Sequence, residues 1–291
     1  MKIVNSTDIL EGLYGPEKAI EMLKDAGFEA IDYAIGDAVY GDDYKEYVAR
    51  LLAASEKYGL PFVQTHGPIP KYQLHETEKR EEFMAKARRA IEVSGLLGAK
   101  QVILHPMRVA KGNHEDQLAI NLGEYMPLVP LAKKAGVKIA IENMCNFKID
   151  ENGEPVKHVC KSPEEHAKYI DAFNDDFVVA CLDTGHAAAA SEVPAEFVRV
   201  LGNKRLVSLH VHDNDGVNDL HSIPYDQSIK FEPFLDALAD IDYQGDFTLE
   251  CIYYIRKLPE ALYPAALRYM AELAKYMRDE VLKRKLSRKS K

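Results

Sequence analysis

Six residues of the types that bind divalent metals and transfer protons each stand at the end of a β-rich segment of the chain. In sequence order they are His66, His105, Glu142, Asp183, His210 and Glu250. If they converge, their unpaired charges cost free energy through desolvation and mutual repulsion, and a divalent cation removes that cost. Mixed imidazole and carboxylate ligands suit Zn²⁺, Mn²⁺, Co²⁺ or Fe²⁺, whereas Mg²⁺ is disfavoured where imidazole contributes. The pattern therefore predicts a metal site at the carboxyl ends of these segments.

Side-chain alternation predicts which of these residues face inward. Successive side chains of a β-strand point to opposite faces, so an apolar residue at every second position marks the outer face. The residues expected to face outward in the segment 206–213 are Val207, Leu209 and Val211. The residues that the same alternation turns inward, here and in two other segments, are Ser208, His210, His212, Glu142 and Glu250. The two glutamates and His210 are thus expected to share one interior.

Three further metal-binding side chains stand in loops after two of these segments. His186 belongs to the turn Asp-Thr-Gly-His, while Asp219 and His221 belong to HDNDGVNDLHSIP after the seventh segment. Each alone is more typical of an ordinary loop residue, but their position beside the first six makes them candidate additional ligands for metal or substrate. The remaining histidines expected at the surface are His75, His114, His158 and His166.

Eight β-rich runs alternate with eight amphipathic runs of helical length. The expected strands are Ile3–Ser6, Ala30–Ile35, Phe62–His66, Gln101–His105, Lys138–Glu142, Phe177–Asp183, Leu206–His212 and Asp246–Cys251. The expected helices are Glu17–Ala26, Tyr44–Tyr58, Glu78–Leu97, Glu115–Ala135, Pro163–Phe173, Ala195–Leu201, Glu232–Ala239 and Glu260–Lys283. This alternation predicts an α/β fold, a single (β/α)8 TIM barrel. A doubly wound open sheet is the competing architecture, but no Gly-x-Gly-x-x-Gly follows the first strand to favour it.

Domain organisation follows from the absence of any Pro-, Gly- or Ser-rich linker in the 291 residues. Residues 1–291 are therefore expected to form one barrel domain. The longest irregular stretch, at about 143–162, is typical of a lid-like loop, from which Lys148 or Lys157 would reach a bound ligand. A basic C-terminal tail at 283–291 is expected to be a solvated, frayed helix end.

Charge and composition restrict the partners. The net charge is −9, and the last nine positions hold six basic residues, so residues 1–282 alone carry −15. Because so acidic a body repels a phosphate backbone, nucleic acid is disfavoured as a partner. No apolar run approaches the roughly 20 residues of a membrane span, and the N-terminus lacks the features of a signal peptide. The four cysteines follow no metal or disulfide spacing, so we expect a cytoplasmic protein without membrane contact; a homo-oligomer is compatible with the sequence.

The motifs resemble those of the xylose-isomerase-like TIM-barrel superfamily, which includes sugar isomerases, sugar epimerases and endonuclease IV (AP endonuclease family 2). The resemblance is carried by THGP (His66), LHP (His105), IEN (Glu142), LDTGH (Asp183 and His186), HVHD (His210), DLH (Asp219 and His221) and LEC (Glu250). For the sugar-epimerase branch it implies substrate contact by His186, acid and base roles for the two glutamates, and one divalent metal held by Glu142, Asp183, His210 and Glu250. For the endonuclease IV branch it implies that all nine residues hold three zinc ions.

Departures from the nuclease pattern favour sugar chemistry. The nuclease segments after the fourth and fifth strands are glycine-rich, whereas here they read PMRVAKGN and NMCNFKIDENG. The interpretation is therefore a divalent-metal-dependent sugar isomerase or epimerase, acting on a small-molecule sugar or polyol. It would abstract a proton next to a carbonyl and pass through an enediolate, with Glu142 and Glu250 as acid and base. The alternatives are an endonuclease IV-like multinuclear zinc phosphodiesterase at abasic DNA, a keto-polyol dehydratase or oxidised-glycoside lyase on the same metal site, and a non-catalytic sugar-binding barrel.

Overall fold

Eight parallel strands lie side by side in the order of a barrel. The computed structural model describes residues 1–70, 76–107, 114–145 and 159–289. The strands are β1 Ile3–Ser6, β2 Ala30–Ala34, β3 Phe62–His66, β4 Gln101–Leu104, β5 Lys138–Glu142, β6 Val178–Asp183, β7 Leu206–His210 and β8 Phe247–Leu249. Their order, β7-β6-β5-β4-β3-β2-β1-β8, leaves β7 and β8 at the two edges, which meet at a parallel bridge between Val211 and Leu249. The predicted (β/α)8 barrel is confirmed.

Helices connect the successive strands. The α-helices are α1 Asp8–Tyr14, α2 Pro16–Ala26, α3 Tyr44–Tyr58, α4 Thr77–Leu97, α5 His114–Tyr125, α6 Val129–Ala135, α7 Pro163–Ala172, α8 Thr184–Ala189, α9 Pro194–Arg205, α10 Phe231–Asp240, α11 Ile252–Arg256 and α12 Tyr263–Lys289. Gly59 (φ 62°) ends α3 and Gly98 (φ 77°) ends α4 in the left-handed conformation that favours glycine there. Among the residues that the structure describes, no helix combines the length and the apolar character that crossing a bilayer requires.

The helices differ from expectation in two ways. The single helix expected over Glu115–Ala135 is split into α5 and α6 by the 3-10 turn Met126–Leu128, because Pro127 and Pro130 lack the N–H group that a continuous helix needs. The short helices α1, α8 and α11 were not anticipated. Each has only 5 to 7 residues, which is too short to display a 3.6-residue period.

The basic C-terminal segment is ordered as far as the structure describes it. Helix α12 continues to Lys289. Arg284 forms an ion pair with Glu232, and Arg288 Nε donates to Asp240 Oδ1 at 2.7 Å. These acidic partners lie on α10, so basic residues of the tail pair with carboxylates of a neighbouring helix.

The interior of the barrel is filled by a small apolar cluster below the strand ends. Its members are Ile103, Ala140, Val179 and Cys181, and Val207 packs against them. The outward orientation expected for Val207 is therefore wrong. Ala180 pairs with Leu206 while Cys181 pairs with Ser208, so Val207 is an extra residue in β7 that shifts the side-chain alternation.

His166 lies on the buried face of α7, so the surface position expected for it is wrong. Its side chain is fully buried, and Nε2–H donates to the backbone carbonyl of Ile141 at 3.0 Å. Burial lowers the pKa of His166 to about 4, although the Ile141 carbonyl opposes that shift. Its spacing from Pro163, Ala167 and Ile170 on the buried face of α7 was the available signal. His75 and His158 lie outside the described residues, as does the side chain of His114.

Acidification should destabilise the wild-type protein more than the variant His166→Gln. The pKa of His166 is about 4 when folded, against an ordinary value of 6.5. Between these values the unfolded chain binds more protons, so stability falls as the pH is lowered from about 6.5 to about 4. This linkage amounts to about 3 kcal/mol, and glutamine removes it while keeping a donor for Ile141. Urea unfolding of both proteins at pH 7 and pH 4.5 measures the difference; parallel losses of stability would contradict the prediction.

Candidate metal centre

Glu142 lies at the centre of a group of histidines at the carboxyl ends of the strands. Its side chain is 1% exposed. Oε2 lies 3.2 Å from His105 Nε2 and 3.3 Å from His210 Nδ1. The same oxygen lies 3.7 Å from His66 Nε2, and Oε1 lies 3.1 Å from His186 Nδ1. Because parallel strands end at one face of a barrel, residues far apart in the chain meet around this carboxylate.

Four side chains are arranged to hold one cation. They are Glu142, Asp183, His210 and Glu250. Each offers one ligand atom, and the four atoms lie within 4.8 Å of one another. Glu142 Oε2 and His210 Nδ1 are buried, yet neither forms a hydrogen bond within the part of the chain that the structure describes. Buried polar atoms without partners are rare, and such atoms turned toward one point fit a divalent cation. One imidazole and three carboxylates suit Zn²⁺, Mn²⁺, Co²⁺ or Fe²⁺.

His66 and His105 form a second group around the same carboxylate. Their nitrogens and one oxygen of Glu142 also lie within 4.8 Å of one another. Nδ1–H of His66 donates to the carbonyl of Gly67 at 2.9 Å. Because a carbonyl only accepts, Nε2 of the neutral ring carries the lone pair and faces Glu142. The arrangement allows Glu142 to be shared between two cation positions.

Asp219 lies between His186 and His221 in a third group. Asp219 Oδ2 lies 3.0 Å from His221 Nε2 and 3.9 Å from His186 Nε2. The other nitrogen of each ring donates to a backbone carbonyl at 2.9 Å, His186 to Asn143 and His221 to Glu250. Burial lowers the pKa of His221, but Asp219 and Glu250 outweigh it and raise that pKa to about 9. All nine candidate residues from the sequence thus lie in one continuous group.

The two glutamates differ in their electrostatic surroundings. Burial favours the protonated form of both carboxyl groups. At Glu142 the charges of His105 and His210 outweigh burial and hold the pKa well below its usual range. At Glu250 burial prevails over His210 and His221, and the pKa is raised. The pair therefore combines a carboxylate that stays ionised with one that takes up a proton more readily.

Asn143 and Asp32 support the site from outside the candidate set, and sequence reasoning missed both. Asn143 Nδ2 donates to the carbonyl of Asp183 at 2.9 Å, and its Oδ1 accepts the Asp183 N–H at 2.7 Å. Asp32 Oδ2 lies 3.3 Å from His210 Nε2. The alternation in β2 was the available signal, because the outward-facing Ile31 and Tyr33 flank Asp32.

Substitution of Asp32 should weaken metal binding. A histidine ligand is usually oriented by a carboxylate on its second nitrogen, and loss of such a partner costs about 10–100-fold in metal affinity. We expect a loss of that size for Asp32→Ala and a smaller one for Asp32→Asn, which keeps an oxygen beside Nε2 of His210. Competition against a chromophoric chelator measures the affinity. Asp246→Asn, at the opposite end of the barrel, is the control; unchanged affinity in Asp32→Ala would overturn the assignment.

A cavity of about 500 Å³ opens from this site toward the ends of β1, β2 and β3. His66 and Glu250 lie in its wall, together with Asp8, Tyr40 and Lys86. Its size fits a small polar molecule. The predicted lid residues Lys148 and Lys157 lie outside the described residues.

The fold and the site define a class of proteins, the (β/α)8 barrels with clustered histidines and carboxylates at the strand ends. Residues 20–273 match the family described as xylose isomerase-like TIM barrel, and the chain belongs to that family. An uncharacterized protein of Methanocaldococcus jannaschii is 33% identical over 207 residues, 69% of this chain and 67% of that protein. A probable endonuclease 4 of Shouchella clausii is 31% identical over 173 residues, 54% of each chain.

Solved structures of similar fold include sugar epimerases. A D-tagatose 3-epimerase-like protein has a TM-score of 0.76 and 23% identity, covering 99% of both chains. D-psicose 3-epimerase of Clostridium cellulolyticum H10, solved with D-tagatose, has a TM-score of 0.75 and 15% identity, covering 95% of this chain and 99% of that one. The IolI protein with a bound zinc atom has a TM-score of 0.73 and 17% identity, covering 97% and 98%. At these identities the likeness establishes the fold alone.

Proposed function

We propose that this protein is a divalent-metal-dependent sugar isomerase or epimerase. The observation that carries the proposal is the convergence of Glu142 and Glu250 on one nitrogen beside a cavity of small-molecule size. His210 Nδ1 lies 3.3 Å from Glu142 Oε2 and 3.4 Å from Glu250 Oε2. Two carboxyl groups with different proton affinities so close together suit the removal and return of a proton at one carbon atom.

The two glutamates would divide the proton transfer between them. Glu142, held ionised by His105 and His210, would accept a proton from the carbon next to a substrate carbonyl. Glu250, whose pKa burial raises, would deliver a proton to the same carbon or to its neighbour. Return to the same carbon inverts its configuration, and return to the neighbour shifts the carbonyl. Each carboxylate would use one oxygen as a metal ligand and the second for the proton.

The metal ligands and the remaining candidate residues would bind the substrate. A metal held by Glu142, Asp183, His210 and Glu250 would supply positive charge at the carbonyl oxygen, which acidifies the neighbouring C–H bond. His186 would hold a substrate hydroxyl group. Lys148 or Lys157, in the segment between β5 and α7, would contact the substrate.

Hydrogen exchange tests the proposal directly. The metal-loaded protein is incubated in D2O with a panel of ketoses and their phosphates, and NMR follows deuterium at the carbons next to the carbonyl. We expect deuterium in substrate and product together with formation of an epimer or isomer. Calorimetric binding without exchange would indicate a non-catalytic sugar-binding barrel. Loss of water from a keto-polyol would indicate a dehydratase, and cleavage of an oxidised glycoside would indicate a lyase.

The second and third groups of candidate ligands favour another function, that of an endonuclease IV-like multinuclear zinc phosphodiesterase. The group of His66 and His105 and the group around Asp219 supply ligands that a one-metal epimerase does not need. Mass spectrometry of tag-free protein purified without chelators distinguishes the candidates. About one metal per chain supports sugar chemistry, whereas two or three zinc ions, with cleavage of an abasic duplex, support the phosphodiesterase.

A further inference from the structure

His212 lies between two of the candidate ligands, Asp183 and His221. One nitrogen of its ring also lies within 4.8 Å of ligand atoms of His221 and Glu250, but Nε2 faces the carboxylate of Asp183. Its side chain is fully buried. Nε2 lies 3.0 Å from Oδ1 and 2.9 Å from Oδ2 of Asp183. The ring stacks on that of His221, with 4.1 Å between centroids and 12° between planes. A carboxylate only accepts hydrogen bonds, so Nε2 carries the proton and donates it to Asp183.

The ring of His212 occupies space that only a glycine at position 185 leaves open. A Cβ atom on Gly185 would lie 1.9 Å from Cε1 of His212, 2.5 Å from Nδ1 and 2.6 Å from Nε2. No pair of non-bonded atoms of this kind approaches so closely, so ring and methyl group exclude one another. The backbone of Gly185 itself is helical and has no positive φ, so its conformation does not require glycine. The ring of His212 does.

Hydrogen bonds to the backbone hold His212 close to Gly185. The Thr184 hydroxyl donates to the carbonyl of His212 at 2.6 Å and accepts its N–H at 3.0 Å. Asn214 Nδ2 donates to the carbonyl of Gly185 at 2.6 Å. Hydrogen bonds thus join the start of α8 to the segment after β7. The ring of His212 projects from that segment onto the carboxylate of Asp183 at the end of β6.

We propose that His212 is a positioning residue that fixes the carboxylate of Asp183 for metal binding, and that Gly185 admits its ring. The inference rests on the proposed function, because Asp183 is there a metal ligand. The Asp183 carboxylate receives the backbone N–H of His186 at 2.6 Å on Oδ1. The imidazole adds a contact to Oδ2, so both oxygens are oriented before a cation arrives. Preorganisation of this kind raises the affinity of the site for metal without adding a further metal ligand.

The experiment compares His212→Ala, His212→Gln, Gly185→Ala and the double variant Gly185→Ala/His212→Ala. Zn²⁺ or Mn²⁺ affinity is measured by competition with a chromophoric chelator, and metal-free stability by thermal unfolding. We expect a loss of about 10–100-fold in affinity for His212→Ala, with recovery in His212→Gln, whose amide also donates to Asp183. Gly185→Ala should destabilise the metal-free protein. The double variant should regain that stability, because the alanine methyl then fills the space of the missing ring.

A second glycine provides the matched control. A Cβ atom on Gly95 would lie 2.9 Å from the carbonyl oxygen of Ala135, in helix packing away from the site. Gly95→Ala should lower stability without changing metal affinity, and His212→Ala should not relieve it.

The outcomes separate this inference from the proposed function. Wild-type affinity in His212→Ala would overturn the positioning role, and a double variant as unstable as Gly185→Ala would overturn the pairing of ring and glycine. A wild-type protein that binds neither metal would overturn the proposed function and the positioning role together. The stability comparison would still decide the pairing in that case, because it uses metal-free protein.

Discussion

Glutamine in place of either Glu142 or Glu250 should slow hydrogen exchange into the substrate by about 10²–10⁴-fold. The substitution keeps the size of the side chain and one oxygen that can face the metal, but it removes the group that accepts or delivers the proton. Glu142→Gln should slow proton removal itself at neutral pH, because this carboxyl group is the one held ionised. Deuterium incorporation from D2O, followed by NMR with the metal content of each variant determined in parallel, gives the measurement.

The surface variant Glu196→Gln controls for the chemistry of the substitution, because its carboxylate pairs only with Arg199 on the same helix among described contacts. It should retain the wild-type rate. If both site variants exchange at the wild-type rate with metal bound, the two glutamates are not the acid and base.

Removal of the metal is the second change with a large expected effect. Without a cation, the carboxylates of Glu142, Asp183 and Glu250 remain buried with their ligand atoms within 4.8 Å of one another. At a free metal concentration a thousandfold above Kd, binding stabilises the folded state by about 4 kcal/mol. A chelator should therefore lower the melting temperature by several degrees and abolish exchange, and Mn²⁺, Co²⁺ or Zn²⁺ should restore both.

His210→Ala provides the matched variant for this experiment, since it removes the nitrogen on which the carboxylates converge. Its melting temperature should respond to metal much less than that of the wild-type protein. Identical melting of the wild-type protein with chelator and with each metal, together with the absence of bound metal, would contradict the metal-dependent mechanism.

The sequence predicted the barrel and the approximate strand ends because both depend on local regularities. Apolar residues at every second position marked most outer faces, and the parallel order of the strands then placed Glu142, His210 and Glu250 at one end. The alternation failed where the pairing itself is irregular. The extra residue Val207 in β7 depends on how β6 and β7 align, and that is a property of two strands together.

The supporting residues were hidden for a different reason. The alternation turned His212 inward and could have done the same for Asp32, but the importance of both comes from the atoms that they contact in other strands. Asp32 in β2 reaches His210 at the end of β7, on the other side of the barrel interior. Contacts between such distant positions depend on the closed sheet, which one sequence does not specify. The burial of His166 could have been inferred from its place on the apolar face of α7.

β7 and β8 meet at a single isolated bridge, so the circle of strands has its least backbone pairing at this junction. The backbone bonds described there run from the N–H of Val211 to the carbonyl of Thr248 and from the N–H of Glu250 to the carbonyl of Val211. His210 and Glu250 flank this seam on its two sides. Any ion held by both would link β7 and β8 across the junction that has the fewest backbone pairs among the described strands. The chemistry of the site and the closure of the barrel would then depend on the same two side chains. A mutation at either would weaken the junction of β7 and β8 and lower the activity as well.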